Sequence, residues 1–335
     1  MSLSKKATAD AVLGPLSHSS TVSVRVRPTP EVPWEPLRPA DNIDEVVRNL
    51  DQIIDWAIRE KSTIGYFAVL YKRSTVAIRE ALNTGLFYDP ALLDQFDAVF
   101  AKRYFDALNA YFHPDDYDGL TLPWEVALVR QDLGQSTMLQ HMVAGLNAHI
   151  NFDLGLATAE IVPDSMEAFD HDFQLINALV ATQIRGMLRV TEGISPAVRW
   201  IRRAVPNEVG FIRRALVKFR RSGWLFAAYV LLNPDKAREK EVNHMAWAAA
   251  LGAWYLDPPR YLGLGPRLIA AIATRENRDI DVHLKALDAK AFDPDPLDKR
   301  FLDRQFRRRA LTRKDGTAQP VRGQGDPPAQ PRPAH

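Results

Sequence analysis

The sequence contains no cysteine among its 335 residues. Disulfide bonds, thiolate nucleophiles, cysteine-ligated zinc and iron–sulfur clusters are therefore excluded together, because each of them needs a thiol. Long apolar runs are also lacking: the longest, 224–232, is far shorter than the roughly 20 residues that span a bilayer. Residues 1–41 contain no continuous apolar stretch of the kind that a secretory signal needs. We therefore expect a cytoplasmic protein.

Several common catalytic signatures are missing as well. There is no phosphate-binding G-x-x-x-x-G-K-[ST] loop, no G-x-S-x-G nucleophile elbow and no H-E-x-x-H zinc motif. The sequence Gly263-Leu264-Gly265 is followed by proline instead of the rest of a dinucleotide fingerprint. The formal net charge of +2 does not indicate a general nucleic-acid binder.

The middle of the chain carries repeated helix signals. Apolar residues follow the 3.6-residue period over 43–57, with Asp41 or Asn42 as the N-cap. A second helix is predicted over 62–84, ending before Gly85, and a third begins at Asp89-Pro90. The same pattern of a cap followed by proline recurs at Ser195-Pro196, Asn233-Pro234 and Asp295-Pro296. No alternating β-branched run follows residue 30, so the sequence predicts an all-α fold, a single multi-helix bundle.

The two ends of the chain have a different composition from the middle. Residues 1–40 are rich in serine, threonine and closely spaced prolines, and residues 311–335 combine proline with glycine and glutamine without apolar periodicity. We therefore predict a flexible arm over 1–40, one helical domain over 41–310 and a disordered tail over 311–335.

The segment 137–157 is the most unusual helical stretch, because polar residues interrupt its apolar face. At about 100° per residue, His149 and Asp153 lie one turn apart on the same face as Met142 and Leu146 and should point into the core. Asn147 and Asn151 are also one turn apart but project from a different side. Burying four polar side chains costs free energy unless each finds a partner, so we predict a site here.

Two interpretations of this site remain open. His149 and Asp153 are either metal ligands or an acid–base pair, since side chains at i and i+4 can converge on one ion or one proton. Alternatively they form a buried structural hydrogen bond, with the asparagines satisfying helix groups. A divalent metal, namely zinc, iron or manganese, would need further ligands from other helices, and the candidates are Asp172, Glu241, His244, Asp279 and His283. His141 lies about 12 Å before His149 along the helix axis, too far to share the ion, so it would bind a second ion or support the residues around the first.

The motif His141-x-x-x-Gly145-x-Asn147-Ala148-His149-Ile150-Asn151-x-Asp153-Leu154 resembles the signature of a bacterial family of unknown function. The similarity extends from about Ile43 to Ile272 and includes Gly65-Tyr66-Phe67-Ala68 and Asp172-Phe173 with Asn177. The resemblance implies that the site lies around His149, and it implies no reaction. Asp172 and Asn177 are therefore added to His141, Asn147 and Asn151 as residues that hold the substrate or support His149.

Two further segments, one with a Glu-x-x-His spacing and one rich in basic residues, could carry a function. Glu241-x-x-His244 has the spacing of a di-iron helix, but a di-iron bundle needs a second such pair and the sequence has none. Residues 199–221 contain eight arginines and lysines and one acid, and they precede the apolar run 224–232. A solvated helix face is the favoured interpretation, and contact of 199–232 with an anionic membrane is the alternative.

These observations leave two hypotheses for the function. In the first, the protein is an enzyme that acts on a small, partly apolar molecule in a pocket between helices, with His149 as metal ligand or general base and Asp153 orienting it. In the second, it is a non-catalytic helical binding or scaffold protein, and the same residues form a structural polar network.

Overall fold

The computed structural model describes residues 30–129, 136–162, 166–195, 198–199, 207–257, 265–276 and 278–289, together with Arg300, Asp303 and Arg307. Within these residues every regular element is helical and none is a strand, which confirms the predicted all-α fold. None of the helices in the described part has both the length and the apolar character that crossing a membrane requires.

The helices follow one another with short connections. In chain order they are α1 (Ile43–Glu60), α2 (Ile64–Leu82), α3 (Pro90–Phe112), α4 (Leu122–Val129), α5 (Met138–Leu146), a π-helix (Asn147–Asp153), α6 (Leu154–Ile161), α7 (Met166–Ile194), α8 (Glu208–Leu232), a 3₁₀ turn (Pro234–Lys236), α9 (Ala237–Leu256), α10 (Gly265–Glu276) and α11 (Ile280–Asp288).

Helices α1 and α3 begin where their capping residues predict, and α2 ends shortly before the predicted glycine. The side chain of Asn42 accepts a hydrogen bond from the backbone N–H of Glu45 at 3.0 Å and caps α1. Asp89 accepts from the N–H of Leu92 at 2.9 Å, with proline as the first residue of α3. Gly85 has a φ of +71°, the left-handed conformation expected after the end of α2. These predicted starts and stops are confirmed to within two residues.

Helix α2 lies at the centre of the assembly and is buried on nearly all sides. It packs against α1, α3, α5, α7 and α11. Its central position explains why its sequence is apolar around most of its circumference instead of on one stripe. Tyr71 and Thr75, which are polar and buried, therefore reach the interior from α2.

The structure corrects the prediction of a flexible arm for residues 30–40. Trp34 and Leu37 are buried, and the Trp34 ring stacks on Phe112 with a centroid distance of 4.6 Å. Asn109 fixes this segment: its side chain accepts hydrogen bonds from the Trp34 indole and the Leu37 N–H and donates to the Leu37 carbonyl. The spacing of the prolines predicted an extended segment, and residues 30–40 are extended. The buried side chains of Trp34 and Leu37 nevertheless hold this segment against the core.

The other predictions near the ends fall partly outside the described residues. Residues 1–29 and the tail 311–335 lie outside them, as do Pro196 and Asp295-Pro296. Ser195 accepts a hydrogen bond from the N–H of Val198 at 3.5 Å. Pro234 begins a 3₁₀ turn, which joins α8 to α9 as a helical hairpin.

Candidate functional site

The predicted site lies on a π-helix, not on a regular α-helix. All seven residues from Asn147 to Asp153 are π-helical and buried, between α5 and α6. A π-helix hydrogen-bonds from i to i+5 and has more residues per turn than an α-helix, so side chains four apart lie nearly in line. Such turns are rare, and they occur frequently at functional sites. The polar residues of the motif are thus held in a backbone conformation that sequence periodicity does not reveal.

Two helices support this π-helix by close contact. The backbone of Gly223 in α8 lies so near the π-helix that a Cβ added there would be 2.7 Å from the Ile150 carbonyl oxygen. From α9, His244 Nε2 donates a hydrogen bond to the Asn151 carbonyl oxygen at 2.7 Å. A carbonyl that lies outside the regular α-helical ladder is thereby satisfied by a neighbouring helix.

His149 and Asp153 form a buried hydrogen-bonded pair inside this turn. His149 Nδ1 lies 3.2 Å from Asp153 Oδ2, and both side chains are about 2% exposed. The indole N–H of Trp124 in α4 donates to the same Oδ2 atom at 2.7 Å. The indole can only donate, and an ionised carboxylate can only accept, so with Asp153 as the carboxylate the His149 Nδ1 is the protonated ring nitrogen. Nε2 is left with its lone pair free.

Aromatic rings surround the His149 imidazole. Phe100 stacks on it with a centroid distance of 3.6 Å and an interplanar angle of 10°, and the Tyr71 ring is edge-on at 4.6 Å. Phe67, Trp124 and Tyr104 follow at centroid distances of 5.7, 6.0 and 6.3 Å. Burial in these surroundings lowers the pKa of His149, although the hydrogen bond to Asp153 acts in the opposite direction. The imidazole is therefore neutral near pH 7.

Several buried polar atoms around this ring have no hydrogen-bond partner. They come from α3, the π-helix and α8, and they are Asp97 Oδ2, Tyr104 Oη, His149 Nε2 and Arg220 Nη2. Buried polar atoms are nearly always paired, because an unpaired one costs about 1–3 kcal/mol. A concentration of unpaired donors and acceptors beside one neutral histidine is typical of a site that binds a polar molecule.

Asp97 and Arg220 are an acid and a base within this cluster. Burial, reinforced by Asp94, raises the pKa of Asp97 to about 7, and the Arg220 guanidinium opposes that rise. Burial lowers the pKa of Arg220 to about 10. The Arg220 guanidinium donates from Nε to Asn177 Oδ1 and lies 4.7 Å from the centroid of Phe173. Asp97 therefore changes its charge in the neutral range, a property that is frequent at functional sites.

The asparagines of the motif have a structural connection to α9. Asn151 Nδ2 donates to Asn147 Oδ1 at 2.8 Å, and Asn147 Nδ2 donates to the Ala248 carbonyl at 2.7 Å. Asn151 Oδ1 has no partner. The hydrogen bonds of the two asparagines hold the π-helix against α9 and do not involve His149.

The other predicted site residues lie at three separate places. Asn177 is bound to Arg220, as described above. Asp172 accepts hydrogen bonds from the backbone N–H groups of Tyr88 and Asp89 and so fixes the start of α3. His141 is buried near Tyr66, with a ring-centroid distance of 6.4 Å, and its ring has a hydrogen bond with the backbone of Ser136. Burial lowers the pKa of His141 to about 4, so this ring is neutral.

The predicted metal ligands do not converge. Within the described part of the chain no group of three or more histidines and carboxylates could hold an ion. His244 is bound to Asn151, Glu241 pairs with Arg238 at 3.1 Å, and His283 Nδ1 lies 3.2 Å from the Tyr66 hydroxyl. Asp279 directly precedes α11. His149 and Asp153 are thus arranged as a hydrogen-bonded pair, and the hypothesis of an ion between them stays a prediction without a third ligand.

Sequence reasoning missed Tyr71, Asp97, Tyr104, Trp124 and Arg220. One of them carried a readable signal: Asp97 lies among Leu93, Phe96 and Phe100 on an otherwise apolar face of α3. Arg220 was hidden inside a basic run that was interpreted as a solvated face, although its side chain is buried. The three aromatic residues look like ordinary core residues in the sequence.

Comparisons with known proteins agree with the resemblance noted in the sequence. Neither the comparison with curated proteins nor the comparison with solved structures found a match. The model of a family of unknown function, DUF5995, matches residues 43–258. This match begins at Ile43 as predicted, ends before the predicted Ile272, and contains the π-helix and the residues that surround His149. The chain therefore belongs to the DUF5995 family.

Proposed function

We propose that this protein is an enzyme in which His149 transfers a proton to and from a small, partly apolar molecule, with Asp153 orienting the imidazole. The observation that carries the proposal is the free Nε2 of a buried, neutral histidine whose other nitrogen is fixed by a carboxylate. The carboxylate is itself fixed by Trp124. A general base needs this combination of a defined tautomer, a free lone pair and an oriented ring.

The proton path follows from the hydrogen bonds. Nδ1–H donates to Asp153, so Nε2 accepts a proton from the bound molecule and the ring becomes an imidazolium. The Asp153 carboxylate 3.2 Å away stabilises that positive charge, and the imidazolium then returns the proton from Nε2. Proton transfer by a positioned side chain accelerates reactions by about 10²- to 10⁴-fold. No metal ion is needed in this sequence of steps.

The surroundings of His149 favour a molecule with both apolar and polar parts. Phe67, Phe100 and the ring of Tyr71 offer apolar faces. The hydroxyl of Tyr104, which has no partner, can donate or accept a hydrogen bond. A small aromatic or alicyclic compound with hydroxyl, carbonyl or carboxyl groups fits this combination best.

The substitution His149→Phe separates a catalytic role from a structural one. Phenylalanine keeps the stacking on Phe100 and removes the unpaired Nε2. Asp153 Oδ2 loses the Nδ1–H donor but keeps the Trp124 N–H, so we expect the melting temperature to stay within a few degrees of the wild type. Turnover should fall by at least about 100-fold. The assay is mass spectrometry of a small-molecule cell extract incubated with each protein, in which wild type depletes a compound that the variant leaves intact.

The control is His283→Phe, which replaces a buried histidine that bonds to Tyr66, away from His149, and should leave turnover unchanged. If His149→Phe keeps wild-type turnover, the catalytic proposal is wrong. If it instead unfolds the protein at room temperature and no compound is consumed by wild type, the residues form the structural network of the alternative hypothesis, a non-catalytic binding or scaffold protein.

A further inference from the structure

The hairpin of α8 and α9 carries most of the exposed apolar surface of the described residues. Of the eleven large hydrophobic side chains that are exposed there, seven lie on these two helices: Val217, Leu225, Tyr229 and Leu232 on α8, and Val242, Trp247 and Trp254 on α9. Leu232 is 80% exposed and Leu225 is 56% exposed. Single exposed apolar residues are ordinary, whereas a contiguous group of them marks a contact surface.

The exposed residues of α8 form one stripe. At about 100° per residue, the four exposed apolar residues of α8 fall within about 120° of the helix circumference. The same sector contains the exposed basic residues Arg214, Lys218 and Arg221. The stripe is therefore basic toward the N-terminal part of the helix and apolar toward its C-terminal end.

Helix α9 extends this stripe sideways. Lys240 Nζ lies 5.1 Å from the centroid of the Tyr229 ring, so this side of α9 borders the stripe on α8. Trp247 and Trp254 follow Lys240 at intervals of seven residues and project from the same side of α9. Both tryptophans are about half exposed. We call the exposed stripe of α8 together with Trp247 and Trp254 the α8–α9 surface.

We infer that the α8–α9 surface binds the interfacial region of an anionic lipid bilayer. The surface carries three exposed basic residues, Arg214, Lys218 and Arg221, and residues 209–232 contain no acidic residue, so its charge complements anionic headgroups. Exposed leucines fit the acyl boundary, and tryptophan and tyrosine favour the headgroup level. A second copy of the chain fits less well, because a two-fold contact would bring this acid-free basic stripe against itself.

The test is co-sedimentation of the full-length protein with lipid vesicles. We expect binding to vesicles that contain phosphatidylserine, little binding to phosphatidylcholine alone, and loss of binding between about 0.05 and 0.5 M salt. The double variant Lys218→Glu/Arg221→Glu should weaken binding about 25-fold or more, since each basic residue near an anionic surface contributes about fivefold. Leu225→Gln/Leu232→Gln should abolish insertion, measured as loss of the blue shift in tryptophan fluorescence.

The matched control is Val282→Gln/Lys285→Glu on α11, where the two side chains are 57% and 61% exposed and lie outside the surface. This variant should bind like wild type. Equal binding of all variants, or no binding to anionic vesicles, would overturn the inference. So would a wild-type dimer in analytical ultracentrifugation that Leu225→Gln/Leu232→Gln converts to a monomer without any effect on vesicles, because the surface would then serve a second copy.

Discussion

Asp97→Asn is expected to stabilise the protein more at about pH 8 than at about pH 5. Burial raises the pKa of Asp97 from 3.8 to about 7, so the folded state holds this proton more tightly than the unfolded state does. The wild type therefore loses stability as the pH rises from 3.8 through 7, and asparagine does not titrate. The rise of about three pKa units corresponds to up to about 4 kcal/mol in the free energy of unfolding.

The measurement is urea unfolding of both proteins at several pH values. Arg220 keeps Asn177 as an acceptor in the variant, so losing the charge of Asp97 does not leave the guanidinium without a hydrogen bond. Asp172→Asn is the matched control: that carboxylate accepts backbone hydrogen bonds, and its loss should destabilise the protein at pH 8. If Asp97→Asn destabilises the protein equally at both pH values, the pKa of Asp97 is not raised in the folded protein.

Gly223→Ala is expected to lower the free energy of unfolding by about 1–3 kcal/mol, although alanine is the better helix former. The new Cβ would be 2.7 Å from the Ile150 carbonyl oxygen, and that atom belongs to the backbone of the π-helix. A backbone atom cannot rotate away as a side chain can. The π-helix must therefore shift, together with the neighbouring His149.

Gly193→Ala on α7 is the control for this substitution, because a Cβ there meets nothing within 4 Å. It should stabilise the protein by roughly 0.5–1 kcal/mol, the usual gain for replacing a helical glycine with alanine. The difference between the two variants in chemical denaturation isolates the contact with the π-helix. Similar effects of both substitutions would contradict the close approach of α8 to Ile150.

The fold could be predicted from the sequence because its signals are local. The N-caps Asn42 and Asp89 and the glycine after α2 lie within a few residues of the backbone groups that they satisfy. The error at residues 30–40 has the opposite cause. Trp34 and Leu37 are held by Asn109, more than seventy residues away, and nothing in a proline-rich segment reveals a partner at that distance.

Half of the candidate site could be predicted in the same way. The pairing of His149 with Asp153 follows from their spacing, because side chains four apart meet on any helical turn. The π-helical backbone could not be predicted, since it depends on α8 and α9 packing against the turn. Trp124, Tyr71 and Asp97 come from other helices, and their convergence on His149 depends on tertiary packing alone.

Asp172 and Asn177 were both assigned to the site because of the family resemblance, but they have different roles in the structure. Asp172 fixes the turn before α3, and Asn177 binds Arg220. The charge of Arg220, to which Asn177 is bound, lowers the pKa of Asp97 and the pKa of His149. The family motif predicted where the site lies, whereas the role of each residue became clear only from its hydrogen bonds in the structure.

The most direct test of the catalytic proposal is the protonation state of His149, read from ¹H–¹⁵N NMR spectra of histidine-labelled protein. His149→Phe identifies its signals by their disappearance. We predict a neutral ring near pH 7 with the proton on Nδ1 and an unprotonated Nε2, because Asp153 accepts from Nδ1 and burial lowers the pKa. A proton on Nε2 at this pH, in either the other tautomer or the imidazolium, would contradict the role of His149 as a general base.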